Sequence, residues 1–131
     1  MTSTSALKLR LGHAVDELAG ELESLSHEIH DHPELAFQEA RACGWLCDFL
    51  GQQGFAVDRG VAGVDTAFRA TLDTGAGPTI AILCEYDALP DIGHACGHNV
   101  IAAAGAGAGA ALAVVKGALP PGRIQVIGTP A

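Results

Sequence analysis

The chain has 131 residues and a formal net charge of -8, with 7 lysines and arginines against 15 aspartates and glutamates. The basic residues are scattered, which argues against a nucleic-acid or anionic-membrane partner, and the length suits one domain able to bury about two thirds of its unfolded surface. Its four cysteines, at 43, 47, 84 and 96, do not form the even framework of a small secreted scaffold and no leader is expected before them, so the compartment is read as reducing and cytoplasmic.

In chain order, Ser3, Thr4 or Ser5 can cap a first helix. Along it Leu11, Val15, Leu18, Leu22, Leu25 and Ile29 form one apolar stripe, expected to pack on a sheet rather than seed a coiled coil. Pro33 disfavours helical geometry in the residue before it, so the helix should end near Asp31 or His32. His27, His30 and His32 gather there; they could bind a metal, although solvated or capping histidines are commoner.

A second helix is predicted from about Gln38 to Gln53, with Ala42, Trp45, Leu46, Phe49 and Leu50 on one face and Gly54 as its stop. Cys43 and Cys47, one turn apart, read as small core residues rather than a metal clamp. Phe55 to Val57, Val64 to Leu72 and Thr79 to Glu85 read as strands, the last two joined by a turn at residues 73–78 that suggests a hairpin. The alanine and glycine run from Asn99 to Val115 is too weakly apolar and too short to span a membrane, so it is read as a buried helix. Gly105, Gly107 and Gly109 each cost about 1 kcal/mol in a helix interior, and close packing of the helix backbone is the expected compensation. A last strand, Arg123 to Gly128, completes a strand, helix, strand crossover, so the sheet should be mixed.

The segment of greatest chemical interest is Gly93-His94-Ala95-Cys96-Gly97-His98-Asn99-Val100. It offers a thiol and two imidazoles at a strand-to-helix junction, and thiolate and imidazole are the donors zinc prefers. Upstream, Glu85 and Asp87 end an apolar strand and share a face while the chain stays extended, so one carboxylate could orient a metal-bound imidazole. Asp87 as a mere turn cap and Cys96 as an inert thiol are the alternative.

The segments His30-Asp31-His32-Pro33-Glu34-Leu35, Asp87-Ala88-Leu89-Pro90, Gly93 to Asn99 and Gly128-Thr129-Pro130-Ala131 resemble, in order and spacing, the start of the catalytic domain of metallopeptidase family 20. Within the family they most resemble the p-aminobenzoyl-glutamate hydrolase and dipeptidase branch. The resemblance implies a three-layer α/β/α zinc-exopeptidase-like domain with a mixed sheet, of which residues 1–131 are the N-terminal part, without the lid domain that commonly mediates homodimerisation. It implies Cys96 and His98 as metal ligands, Asp87 as support of the metal centre, and two divalent cations, zinc before manganese or cobalt. His94 is not implied as a ligand, and Asn99 stands where other branches carry aspartate. The general-base glutamate would follow Ala131.

The implied activity is hydrolysis of the amide bond of an N-acyl amino acid, aminobenzoyl-glutamate or dipeptide-type small molecule by a metal-activated water. Two alternatives belong to other classes. One is a thiol hydrolase in which His98 activates Cys96. The other is a non-catalytic truncated fragment with at most residual metal binding, which is the behaviour expected of the 131 residues in isolation.

Overall fold

The computed structural model describes residues 3–131. Ser3 caps the first helix, α1 (Thr4–Asp31), by accepting from the Ala6 N–H, and Pro33 follows its end as expected. The second helix, α2 (Ala40–Gln52), stops before Gly54, which takes the left-handed φ of 89°. Then come β1 (Ala56–Arg59), β2 (Phe68–Asp73) and β3 (Thr79–Cys84), the long helix α3 (His98–Val114), and β4 (Arg123–Gly128).

The sheet order is β1-β2-β4-β3. β3 and β4 run parallel through the α3 crossover, whereas β2 is antiparallel to both β1 and β4, so the sheet is mixed as predicted. The expected hairpin between the second and third strands is wrong. Their turn is real, with Asp73 Oδ1 accepting from the Gly75 N–H, but β4 inserts between β2 and β3 and takes the hydrogen bonds of both. The pair that does form a hairpin-like ladder is β1 with β2. Residues Val64 to Ala67, read as strand, form a turn region instead, with the Ala67 N–H bonded to the Val64 carbonyl.

Side chains alternate along β2 and β4. Phe68, Ala70, Leu72, Ile124 and Val126 face one core with Leu46 and Leu50 of α2 and Ala102, Ala106 and Ala110 of α3. The opposite sheet face, with Arg69 and Asp73 exposed, carries none of the described helices. α1 does not pack on the sheet as its stripe suggested; it lies mainly on α3, with a lesser contact to α2. α3 can hold both neighbours because it is almost featureless. A Cβ on Gly105 would stand 2.5 Å from Cys84 Sγ, one on Gly109 2.6 Å from Val126, and one on Gly107, on another side of the helix, 2.6 Å from Leu22 of α1. The glycines thus have the packing reason their helix cost demands. Cys43 and Cys47 are core residues, as read, with their sulfurs 3.9 Å apart.

Candidate metal centre

All four motif segments meet beyond the carboxyl end of β3. After Cys84 the chain leaves the strand and runs through Glu85 and Asp87 without regular secondary structure, and the loop that follows is pinned at several points. Ala88 N–H donates to the Glu34 carbonyl at 2.8 Å, while Leu89 and Gly93 exchange both backbone hydrogen bonds around the left-handed Asp91. Glu34 in turn uses its carboxylate to accept from the Arg41 and Ala42 N–H groups at the start of α2, where an anion is favoured. From the other side, Thr129 bonds the Cys84 carbonyl through both its N–H and its hydroxyl. Tyr86, fully buried, stacks on Phe68 and donates its hydroxyl to the Thr66 carbonyl. The acidic stretch is therefore held by the start of α2, by β4 and by the core.

His98 opens α3 directly after Gly97, which takes a left-handed φ of 83° and so reverses the chain between Cys96 and His98 at little steric cost. Asp87 Oδ1 lies 2.7 Å from His98 Nδ1, and Glu85 Oε2 lies 3.2 Å from His98 Nε2. The imidazole is therefore bracketed by two carboxylates. Both acidic residues read as sharing a face do reach the loop, and they do so through the same ring. The Asp87 side chain is only 13% exposed against 46% for Glu85, so the Asp87 contact is the better shielded of the two.

Cys96 is exposed, unlike the other three cysteines, which are buried and free. Among the described residues no three histidine, cysteine or acidic side chains stand together as a ready cation cage. The donor set does suit a borderline-soft cation: an accessible sulfur and an imidazole whose Nδ1 is already held by a carboxylate, the arrangement usual for a ligating histidine.

Asn99, the departure from aspartate, is buried and donates its amide to Ser26 Oγ at 3.0 Å, tying the first turn of α3 to α1. Of the histidines near the end of α1, His32 turns away, with Nδ1 2.9 Å from the Glu28 carbonyl and its ring beside Trp45. His30 instead faces His94, the ring centres 6.4 Å apart. His94 is 7% exposed and neither ring nitrogen has a hydrogen-bond partner. Burial, with His30 and His98 nearby, pulls its pKa below the usual histidine range; the Ile29 backbone opposes this only in part and does not reach hydrogen-bond geometry with the ring. Nothing in the sequence marks His94 as buried, because its loop has no periodicity.

No family model matches the chain. Curated proteins do. It is 43% identical over 137 residues to the Xaa-Arg dipeptidase of Mus musculus, covering 95% of this chain and 32% of that protein. It is 36% identical over 109 residues to one of the p-aminobenzoyl-glutamate hydrolase polypeptides of Escherichia coli strain K12, covering 70% of this chain and 22% of that one. A crystal structure of a Bacillus subtilis protein, described as a dinuclear metal binding peptidase from the M20 family, superposes with a TM-score of 0.79 at 26% identity over 88% of this chain and 36% of that one. The chain belongs to metallopeptidase family 20. It spans about a third of the length of the mouse dipeptidase, and its mixed sheet with α3 as crossover is the corresponding part of a family 20 catalytic domain.

Proposed function

We propose that residues 1–131 are the N-terminal part of the catalytic domain of a metal-dependent amidohydrolase or dipeptidase, whose remaining catalytic residues and lid domain lie in sequence beyond these. The whole protein would cleave the amide bond of a dipeptide, aminobenzoyl-glutamate or N-acyl amino acid, the first two being the chemistry named for the relatives. The observation that carries the reading is the bracketed imidazole: Asp87 at Nδ1 favours the tautomer whose Nε2 can donate to a cation, and Glu85, now 3.2 Å from that nitrogen, would give way to the ion or join it.

In this reading Cys96 and His98 hold metal and Asp87 positions His98. Two divalent cations, zinc before manganese or cobalt, would polarise the scissile carbonyl and bring water's pKa near neutrality. Glu85, already at Nε2, adds an anionic wall to the same pocket and draws a cation toward that nitrogen. A thiol hydrolase is less well supported, since both ring nitrogens of His98 face carboxylates and neither is committed to the Cys96 sulfur. The gap in the donor set supports a second statement: the 131 residues in isolation are inactive. Four free cysteines agree with a reducing, cytoplasmic setting, and among the described residues no helix is long and apolar enough to cross a membrane. Homodimerisation through the lid belongs to the same proposal.

The test is metal content and amide hydrolysis of the full-length protein beside its Cys96→Ala and His98→Ala variants. Close to two metals per chain, with turnover lost in both variants, supports the reading. Undiminished turnover in both would refute it.

A further inference from the structure

We propose a cation site between α1 and the loop before α3, formed by His30 and His94 and suited to an imidazole-seeking ion such as Cu2+, Ni2+ or Zn2+. The site uses neither Cys96 nor His98 and does not rest on their assignment. Three observations converge on it.

The first is the unpartnered imidazole. His94 is only 7% exposed, yet neither nitrogen finds a donor or acceptor. A buried ring in that state forfeits about 1–3 kcal/mol unless something binds it. The second is distance. An ion about 2.1 Å from one nitrogen of each of two rings holds their centres about 5–6.5 Å apart, depending on the angle at the metal. The His30 and His94 centres are 6.4 Å apart with the ring planes tilted by 32°, at the upper end of that range, where the two nitrogens stand nearly opposite one another across the ion. The third is the support behind His30. Its Nδ1 lies 3.0 Å from Asp31 Oδ1, the contact that holds the Asp31 carboxyl below the usual carboxylate range. This leaves His30 Nε2 free, as in the carboxylate-histidine-metal arrangement.

Two protein nitrogens with water completing the shell make an exchangeable site rather than a structural one. No third histidine, cysteine or acidic side chain among the described residues stands with this pair as a third donor. The Nδ1 of His32 is engaged by the Glu28 carbonyl.

The experiment titrates Cu2+ alone into the full-length protein carrying Cys96→Ala and His98→Ala, followed by electron paramagnetic resonance and calorimetry. We expect a nitrogen-ligated Cu2+ that is lost on adding either His30→Ala or His94→Gln and weakened about tenfold by Asp31→Asn. The His30 side chain is 58% exposed, so its replacement leaves the fold intact and keeps the test decisive even where His94→Gln disturbs packing. A spectrum and stoichiometry unchanged by His30→Ala overturn the proposal. So does a signal that needs His30 but survives His94→Gln, which would place the ion on α1 alone. Loss of turnover in the Cys96 and His98 variants is read separately and bears only on the catalytic assignment.

Discussion

Asp87 and His98, eleven residues apart, meet through a 2.7 Å contact between Oδ1 and Nδ1 because β3 delivers the carboxylate and Gly97 delivers the ring. In the proposed role the carboxylate favours the proton on Nδ1 and orients the ring. Replacing it with Ala should lower the metal affinity of the full-length protein by about 10–100-fold, read by competition with a chromophoric chelator. Asp87→Asn should recover part of the orientation but not the basicity. Affinity unchanged by Asp87→Ala would mean that His98 is not a ligand, or that Glu85 alone suffices to orient it.

Much of this relationship is legible in the sequence, and the reasons are local. A strand that turns acidic at its end, and a glycine between a thiol and an imidazole, are signals carried by neighbouring residues. β4 is bounded correctly at Arg123 and Gly128 for the same reason. Strand order is not legible. The turn after Asp73 looks like a hairpin turn, yet whether β3 pairs with β2 depends on where β4 returns, and that is set by α3 packing across the sheet. The partner of α1 is hidden similarly: an apolar stripe records that a helix is covered, not what covers it. The burial of His94 is long-range as well, since it follows from the end of α1 folding over the loop.

Accessibility separates the cysteines. Cys96 is exposed while Cys43, Cys47 and Cys84 are buried, so one thiol per native chain should react rapidly with a thiol-specific reagent and three only on unfolding. Mass spectrometry of the peptides identifies the site. Zn2+ should slow Cys96 labelling in the full-length protein, since a coordinated thiolate cannot attack. Equal rates with and without metal would argue against Cys96 as a ligand.

Asn99 makes a directional demand. Its amide donates to Ser26 Oγ at 3.0 Å and lies 3.4 Å from the Ser26 carbonyl. Asn99→Asp restores the residue of the other branches but places a carboxylate against that carbonyl, and should destabilise by about 1–3 kcal/mol. Urea unfolding of the two proteins side by side decides it. A variant as stable as the parent would show that Ser26 Oγ turns to donate and that the junction between α1 and α3 is permissive.

The buried thiol of Cys84 gives stability a pH dependence. Burial pushes its pKa from 9.0 up to about 12, and burial raises Tyr86 as well. Between pH 9 and 12 the folded protein therefore retains a proton that the unfolded chain releases. Stability is complete below pH 9 and falls as pH rises, by at most about 1.4 kcal/mol per pH unit for each such group. Denaturation at pH 8 and at pH 10.5 should show this loss, and Cys84→Ala, less stable throughout, should show a shallower decline. Parallel declines in parent and variant would exclude Cys84 as a source.

Glycine substitutions test the packing that seats His98. Alanine at Gly20, where nothing lies within 4 Å of an added Cβ, should stabilise α1 by about 1 kcal/mol through helix propensity alone. At Gly105 the same change drives a methyl against Cys84 Sγ at 2.5 Å and the Leu83 carbonyl at 3.0 Å. Overpacking should there outweigh propensity, for a net loss of about 1–3 kcal/mol. The strained contact bears on the last residues of β3, just before Glu85 and Asp87, so Gly105→Ala should also weaken metal binding in the full-length protein while Gly20→Ala leaves it unchanged. If Gly105→Ala stabilised the protein as Gly20→Ala does, α3 would have room to move away from β3, and the glycines would be there for some reason other than close approach.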